Sequence, residues 1–134
     1  MTHQTLDSSY NRILHIDKPV GMTSFGVVAR VRRVLSQQAG KKVKVGHCGT
    51  LDPFATGLLL LVTGTECRNA MRYTKLDKTY EATIILGQTS TTGDPEGEIT
   101  PYVPEDAEMP ITPPSRQQLD KVLQHFIGEI RQRP

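Results

Sequence analysis

The apolar residues of this chain fall into short blocks whose spacing predicts strands and helices in alternation. Residues 12–17 alternate apolar and polar side chains, which is typical of a strand with one buried face. Residues 58–63 are almost wholly apolar and predict a buried strand. Residues 78–86 alternate at first and end in an apolar run, so they predict a third strand.

Two further blocks repeat their apolar positions every three or four residues, as amphipathic helices do. The first spans residues 25–36 after Ser24, and the second spans residues 66–75 after Thr65. Serine and threonine are favoured helix caps because their hydroxyls accept hydrogen bonds from free backbone amides. The apolar face of the first helix comprises Val27, Val28, Val31, Val34 and Leu35.

A third helix is predicted near the end of the chain. Ser115 and Gln118 form a capping box before it, and Gly128 ends it. Residues 129–134 then indicate the beginning of another strand. The apolar stripe of this helix comprises Leu119, Val122, Leu123, Phe126 and Ile127.

The composition, 37% hydrophobic and 22% charged in 134 residues, fits one soluble globular domain or part of one. The longest apolar run, residues 58–62, is far shorter than the ~20 residues needed to cross a bilayer. No charged-then-apolar leader opens the chain, so we expect a cytoplasmic location.

A net charge of +2 permits RNA binding without requiring it. Six basic residues are clustered before and just after residue 40, and they face either solvent or RNA phosphates. They are Arg30, Arg32, Arg33, Lys41, Lys42 and Lys44.

Residues 45–57 contain the strongest candidate for chemistry. Glycines at 46, 49 and 57 and a proline at 53 indicate a shaped loop rather than one helix or strand. The loop carries a single carboxylate, Asp52, beside the predicted buried strand. Asp-Pro is also a common turn opener, so a purely structural role is the alternative. Neither Cys48 nor Cys67 has the spacing of a zinc or redox pair, and the four histidines stand singly, so no metal site is indicated.

Three motifs in order carry a resemblance to a known family. Residues 46–57 (GHCGTLDPFATG) closely resemble the G-H-T-G-T-L-D-P-x-A-T-G signature of the TruB-type tRNA pseudouridine synthases. Residues 18–24 match that family's K-P-x-G-x-T-S motif, and residues 77–80 match its D-K-x-Y motif. The chain departs from the family at Cys48, where threonine is usual, and near Thr91, where an aspartate is usual.

The resemblance implies an α+β fold, a mixed and largely antiparallel sheet flanked by helices. It implies that Asp52 is the essential catalytic residue, that Tyr80 packs on the target uracil, and that neither a cofactor nor a metal is used. The substrate would be a T-loop uridine of tRNA, flipped out of its stack to reach the site. His47 would contact the RNA or, alternatively, satisfy backbone groups, while Lys18 and Lys78 would contact phosphates or brace loops.

The resemblance covers residues 12–134 but only about the first half of a family catalytic domain. We therefore expect residues 1–134 to be the N-terminal portion, with residues 1–11 flexible and the protein a monomer. The remaining half of the family domain carries the basic side chain that pairs with the catalytic aspartate, so we expect little activity from residues 1–134 alone.

Two other functions remain open. One is a non-catalytic RNA-binding or RNA-folding module. The other is a dyskerin-like synthase that depends on a guide RNA, although the short chain start favours the stand-alone bacterial type. Residues 87–114 are polar and rich in turn-forming residues, so they form either a simple turn or a loop that borders the RNA.

Overall fold

The computed structural model describes residues 8–103 and 112–131. The chain divides into two units, Met1–Glu81 and Ala82–Pro134, and each is described here by itself. The first unit holds the candidate site. Its elements are β1 (Ile13–Lys18), α1 (Ser24–Ala39), β2 (Val45–His47), β3 (Gly57–Thr63), a 3-10 segment (Gly64–Asn69) and α2 (Ala70–Thr74).

The three strands of the first unit form one antiparallel sheet in the order β1-β3-β2. β3 is the central strand, which explains why its sequence is apolar almost throughout: Leu59, Leu61 and Val62 are buried. Helix α1 contributes Val27 and Val28 to the same core. The combination of helices with an antiparallel sheet confirms the α+β fold class.

Helix α1 begins one residue earlier and ends three residues later than predicted, and its cap differs. Thr23 is the N-cap, because its Oγ1 accepts the Gly26 amide at 2.9 Å. Ser24 is the first helical residue instead, and its hydroxyl bonds to the backbone of Leu51. Gly40 ends the helix with φ 64°, a left-handed conformation that glycine adopts without steric cost.

The predicted helix over residues 66–75 forms only in part. Its first turns are 3-10, and only Ala70–Thr74 is α-helical. Thr65 does not cap it, and the Thr65 amide donates to the Asn11 Oδ1 at 2.9 Å. Ser8–Tyr10 forms a 3-10 turn, and the Thr63 hydroxyl donates to the Tyr10 carbonyl. Residues 8–11 are therefore tied to the end of β3 rather than loose, while residues 1–7 lie outside the described part.

The prediction of a strand over residues 78–86 is wrong. These residues form no strand, and Ile84, Ile85 and Leu86 are exposed. Their alternating pattern suits a strand, but a strand is stable only when a neighbouring strand satisfies its backbone groups. In the described residues, no strand pairs with them.

The second unit contains a small hairpin and a helix. The hairpin pairs β4 (Gln88–Ser90) with β5 (Ile99–Pro101) and was not predicted. Helix α3 (Arg116–Leu123) begins with the predicted capping box, and a 3-10 turn (Gln124–Phe126) follows it. All five residues of its apolar stripe are exposed. The helix ends before Gly128, since Ile127 is already extended, and residues 129–131 form no strand; residues 132–134 lie outside the described part.

Candidate active site

Strand pairing brings two of the three sequence motifs to the same end of the sheet. β1 and β3 run antiparallel, and Lys18 at the end of β1 lies opposite Gly57 at the start of β3. The residues that follow β1 and the residues that precede β3 must therefore meet at that edge. We call residues 18–24 the first-motif segment and residues 48–56 the Asp52 loop.

Asp52 lies in a tight turn of this loop with its side chain exposed. The Asp52 carbonyl accepts the Ala55 amide at 3.1 Å, and Pro53 occupies the second turn position, where its fixed φ is favourable. Gly49 has φ 132° and Gly57 has φ 112°, conformations that other residues rarely adopt. Among the described residues, nothing forms a hydrogen bond or ion pair with the Asp52 carboxylate.

The residue after Asp52 is held by the first-motif segment. The Pro53 carbonyl accepts the Gly21 amide at 2.8 Å and the Lys18 ammonium at 3.2 Å. Lys18 also donates to the Pro19 carbonyl at 3.1 Å and to the Met22 carbonyl at 2.6 Å. The Lys18 side chain is 0% exposed, so all three of its donors are used inside the protein.

This geometry bears on the two roles that the sequence left open for Lys18, bracing the loop or contacting phosphates. A buried ammonium that is saturated by three carbonyls has no path to an RNA phosphate in this conformation. The structure therefore supports the bracing role over direct contact with substrate.

The residue before Asp52 is held by Ser24. The Ser24 hydroxyl donates to the Leu51 carbonyl, and the Leu51 amide donates back to the Ser24 oxygen, each at 2.9 Å. The Leu51 side chain packs against the core. Sequence reasoning treated Ser24 only as a helix cap and missed this contact. The final serine of the first motif was the available signal.

His47 ends β2 and is half-buried. Its Nδ1 lies 2.7 Å from the Gly49 carbonyl and must donate, because a carbonyl oxygen only accepts. This is the backbone-satisfying role that was the alternative for His47. The other ring nitrogen, Nε2, has no hydrogen-bond partner among the described residues, so contact with RNA through Nε2 stays a prediction.

The third motif contributes Lys78 and Tyr80. A Cβ built on Gly49 would lie 3.7 Å from the Lys78 Cε, so the Lys78 stem packs beside the Asp52 loop. Its ammonium donates to the Thr74 and Leu76 carbonyls, each at 2.7 Å. Lys78 is exposed, which leaves both bracing and phosphate contact open. Tyr80 is 67% exposed, and its role against the uracil stays a prediction.

The two cysteines are free thiols. Cys48 in the Asp52 loop is buried, and burial, followed by the nearby Cys67, raises the pKa of its thiol. Burial also raises the pKa of Cys67, whose Sγ donates to the Val62 carbonyl at 3.3 Å. In the described ranges, no cluster of three or more histidine, cysteine, aspartate or glutamate side chains could hold a metal ion.

Basic residues of α1 and of the loop after it line an open pocket of about 440 Å³. Its lining includes Arg32, Arg33 and Lys42, together with Ala29 and Ser36. Across residues 8–103 and 112–131, the ion pair that forms joins Arg116 to Asp120. None of the three cations of the pocket is therefore paired with a carboxylate of the described residues. The pocket is suited to anions.

The sequence profile of the TruB family pseudouridylate synthases (N-terminal domain) matches residues 32–134. That match covers well over half of the chain, so the chain belongs to the TruB family. Its relatives include proteins named tRNA pseudouridine synthase B. The one from Phocaeicola vulgatus is 41% identical over 123 residues, which are 91% of this chain and 50% of that protein.

Two other relatives carry the same name. The protein from Bacteroides thetaiotaomicron is 42% identical over 91% of this chain and 49% of its own length. The protein from Psychrobacter cryohalolentis is 41% identical over 91% of this chain and 32% of its own length. This chain thus spans about a third to a half of the length of these relatives. Within its described residues, no helix combines the length and hydropathy needed to cross a membrane.

Proposed function

We propose that this chain is the aspartate-bearing part of a tRNA pseudouridine synthase that isomerises a T-loop uridine through Asp52. The observation that carries the proposal is how Asp52 is presented. Its carboxylate is exposed, and hydrogen bonds fix the backbone of both of its neighbours, Leu51 and Pro53. Family membership and the names of the relatives support the choice of reaction.

The chemistry requires little beyond a positioned carboxylate. The bond between ribose C1′ and uracil N1 breaks, the ring turns, and C1′ joins uracil C5, which loses its proton while N1 gains one. The carboxylate has three possible routes: attack at C1′, attack at the ring, or removal of a ribose proton. Every route requires an accessible carboxylate oxygen, which an exposed Asp52 offers.

Three features support contact with RNA. The target base must leave its stack, and the exposed ring of Tyr80 offers a face on which a flipped uracil can stack. His47 retains Nε2 for a contact at the vacated position. The pocket lined by Arg32, Arg33 and Lys42 suits backbone phosphates.

The test uses a T-loop stem-loop RNA that carries tritium at C5 of the target uridine, because isomerisation releases that atom to water. Two proteins are compared: residues 1–134, and a hybrid that joins them to the part of the Phocaeicola vulgatus relative outside the match. We expect release by the hybrid and little release by residues 1–134, since no described cation pairs with Asp52. Asp52→Asn in the hybrid should abolish release and leave RNA binding nearly unchanged. Equal release by Asp52→Asn and the unchanged hybrid would contradict the proposal.

A non-catalytic RNA-binding module is the second candidate, and the basic pocket is the observation that favours it. It predicts that the hybrid binds the RNA but releases no tritium, with or without Asp52→Asn. A guide-RNA-dependent synthase predicts release only when a guide RNA is added. We propose the stand-alone type, acting as a monomer in the cytoplasm; sedimentation of the chain with and without RNA tests the monomer.

A further inference from the structure

We propose that Ser24 is a positioning residue for Asp52, acting through the backbone of Leu51. The inference rests on the proposed function of Asp52 and adds a residue that touches neither substrate nor the reacting atoms. It concerns how the backbone that carries the carboxylate is positioned before RNA arrives.

Ser24 makes a two-way contact with a single residue of the Asp52 loop. Its hydroxyl donates to the Leu51 carbonyl and accepts the Leu51 amide, both at 2.9 Å. Ser24 is 3% exposed, so water does not readily replace either bond. Holding both backbone groups of Leu51 fixes the peptide planes on its two sides, and one of these planes leads directly into Asp52.

This contact matters because the Asp52 side chain has no anchor of its own. No described residue bonds to its carboxylate, so the backbone sets the position from which the carboxylate extends. Lys18 and Gly21 hold Pro53 on the other side. Ser24 gives the corresponding support to Leu51, the residue before Asp52. A shift of the Leu51 peptide would move the Asp52 Cα directly.

The neighbouring residue provides a matched control. Thr23 caps α1 through the Gly26 amide and has no hydrogen bond to the Asp52 loop among the described residues. Thr23→Ala therefore weakens the helix start, whereas Ser24→Ala removes the support of the loop and keeps the cap. Any effect that is common to both variants is a stability effect, and an effect specific to Ser24→Ala reports positioning.

The first experiment measures amide exchange in the 134-residue chain by NMR. Ser24→Ala should speed exchange at the Leu51 amide by roughly tenfold, the scale of one lost hydrogen bond, with little change in β3. Ser24→Thr keeps the hydroxyl and should restore protection. Unchanged exchange at Leu51 in Ser24→Ala would overturn the inference, and so would an equal effect of Thr23→Ala. If Ser24→Ala does not fold, Ser24→Cys, of similar size but a weak hydrogen-bonding partner, replaces it.

The second experiment measures tritium release by the hybrid. Ser24→Ala should lower kcat roughly 10- to 100-fold, the scale for a misplaced catalytic group, while KM stays within about twofold. Ser24→Thr should recover most of the rate, and Thr23→Ala should leave kcat unchanged. A kcat that is equally unaffected in both alanine variants would overturn the inference. An inactive hybrid would contradict the proposed function, and the Leu51 exchange would still decide whether Ser24 holds the loop.

Discussion

Replacing Lys18 by methionine is the sharpest stability test of the contact between the first-motif segment and the Asp52 loop. Methionine keeps an unbranched apolar stem of similar length and removes the ammonium. Three carbonyls then lose a donor: Pro19, Met22 and Pro53. Pro53 retains the Gly21 amide, so the Pro19 and Met22 carbonyls are the two that lose their protein donor.

The expected loss follows from these contacts. A buried acceptor left unsatisfied costs about 1–3 kcal/mol. Met22 is partly buried, whereas Pro19 is exposed and water can satisfy its carbonyl, so about one such cost applies. Part of this loss is offset, because burying methionine does not require removing water from a charged group, as burying lysine does. We expect a net loss of about 1–3 kcal/mol, equivalent to roughly 5- to 150-fold faster exchange of β3 amides that exchange by unfolding of the first unit.

Lys78→Met is the control for this prediction. Lys78 also donates to two carbonyls at 2.7 Å, but it is exposed, so water replaces the lost bonds. We expect a change below about 1 kcal/mol. The reasoning would be refuted if Lys18→Met left exchange of the β3 amides within about threefold of the unchanged chain, or if Lys78→Met were equally costly.

Two further predictions concern RNA affinity and thiol chemistry. The double change Arg32→Ala and Arg33→Ala should weaken binding of T-loop RNA and make its affinity less dependent on salt between about 50 and 200 mM. Titration of the RNA at several salt concentrations measures this dependence. An unchanged slope of affinity against salt would exclude these arginines from phosphate contact. Because burial raises the pKa of the Cys48 thiol, its alkylation near pH 8 should be much slower in the folded than in the denatured chain, as followed by mass spectrometry. As pH rises past the ordinary thiol pKa, the unfolded chain loses this proton first, so the contribution of Cys48 to stability should fall, and Cys48→Ser should remove that part of the pH dependence.

The elements that could be predicted from the sequence are those with a complete local signal. Residues 12–17 alternate and residues 58–63 are apolar, and both form strands within one residue of the predicted bounds. The capping box of Ser115 and Gln118 also forms as predicted, because it requires only residues three apart.

The elements that could not be predicted depend on distant partners. Residues 78–86 have the pattern of a strand but no neighbour to pair with in the described chain. Ser24 is a good cap by composition, yet Thr23 caps the helix, because the Ser24 hydroxyl is committed to Leu51, twenty-seven residues away. Motif resemblance predicted the residues of the site, but only the register of Lys18 opposite Gly57 shows why two motifs meet.

The most direct test of the account is a single-turnover measurement of tritium release from T-loop RNA by the hybrid and by its Asp52→Asn variant. Asp17→Asn is the matched control, since Asp17 is an exposed carboxylate of β1 outside the Asp52 loop. The account predicts that Asp52→Asn releases no tritium while it still binds the RNA, and that Asp17→Asn reacts at the unchanged rate. Comparable rates for Asp52→Asn and the unchanged hybrid would contradict it.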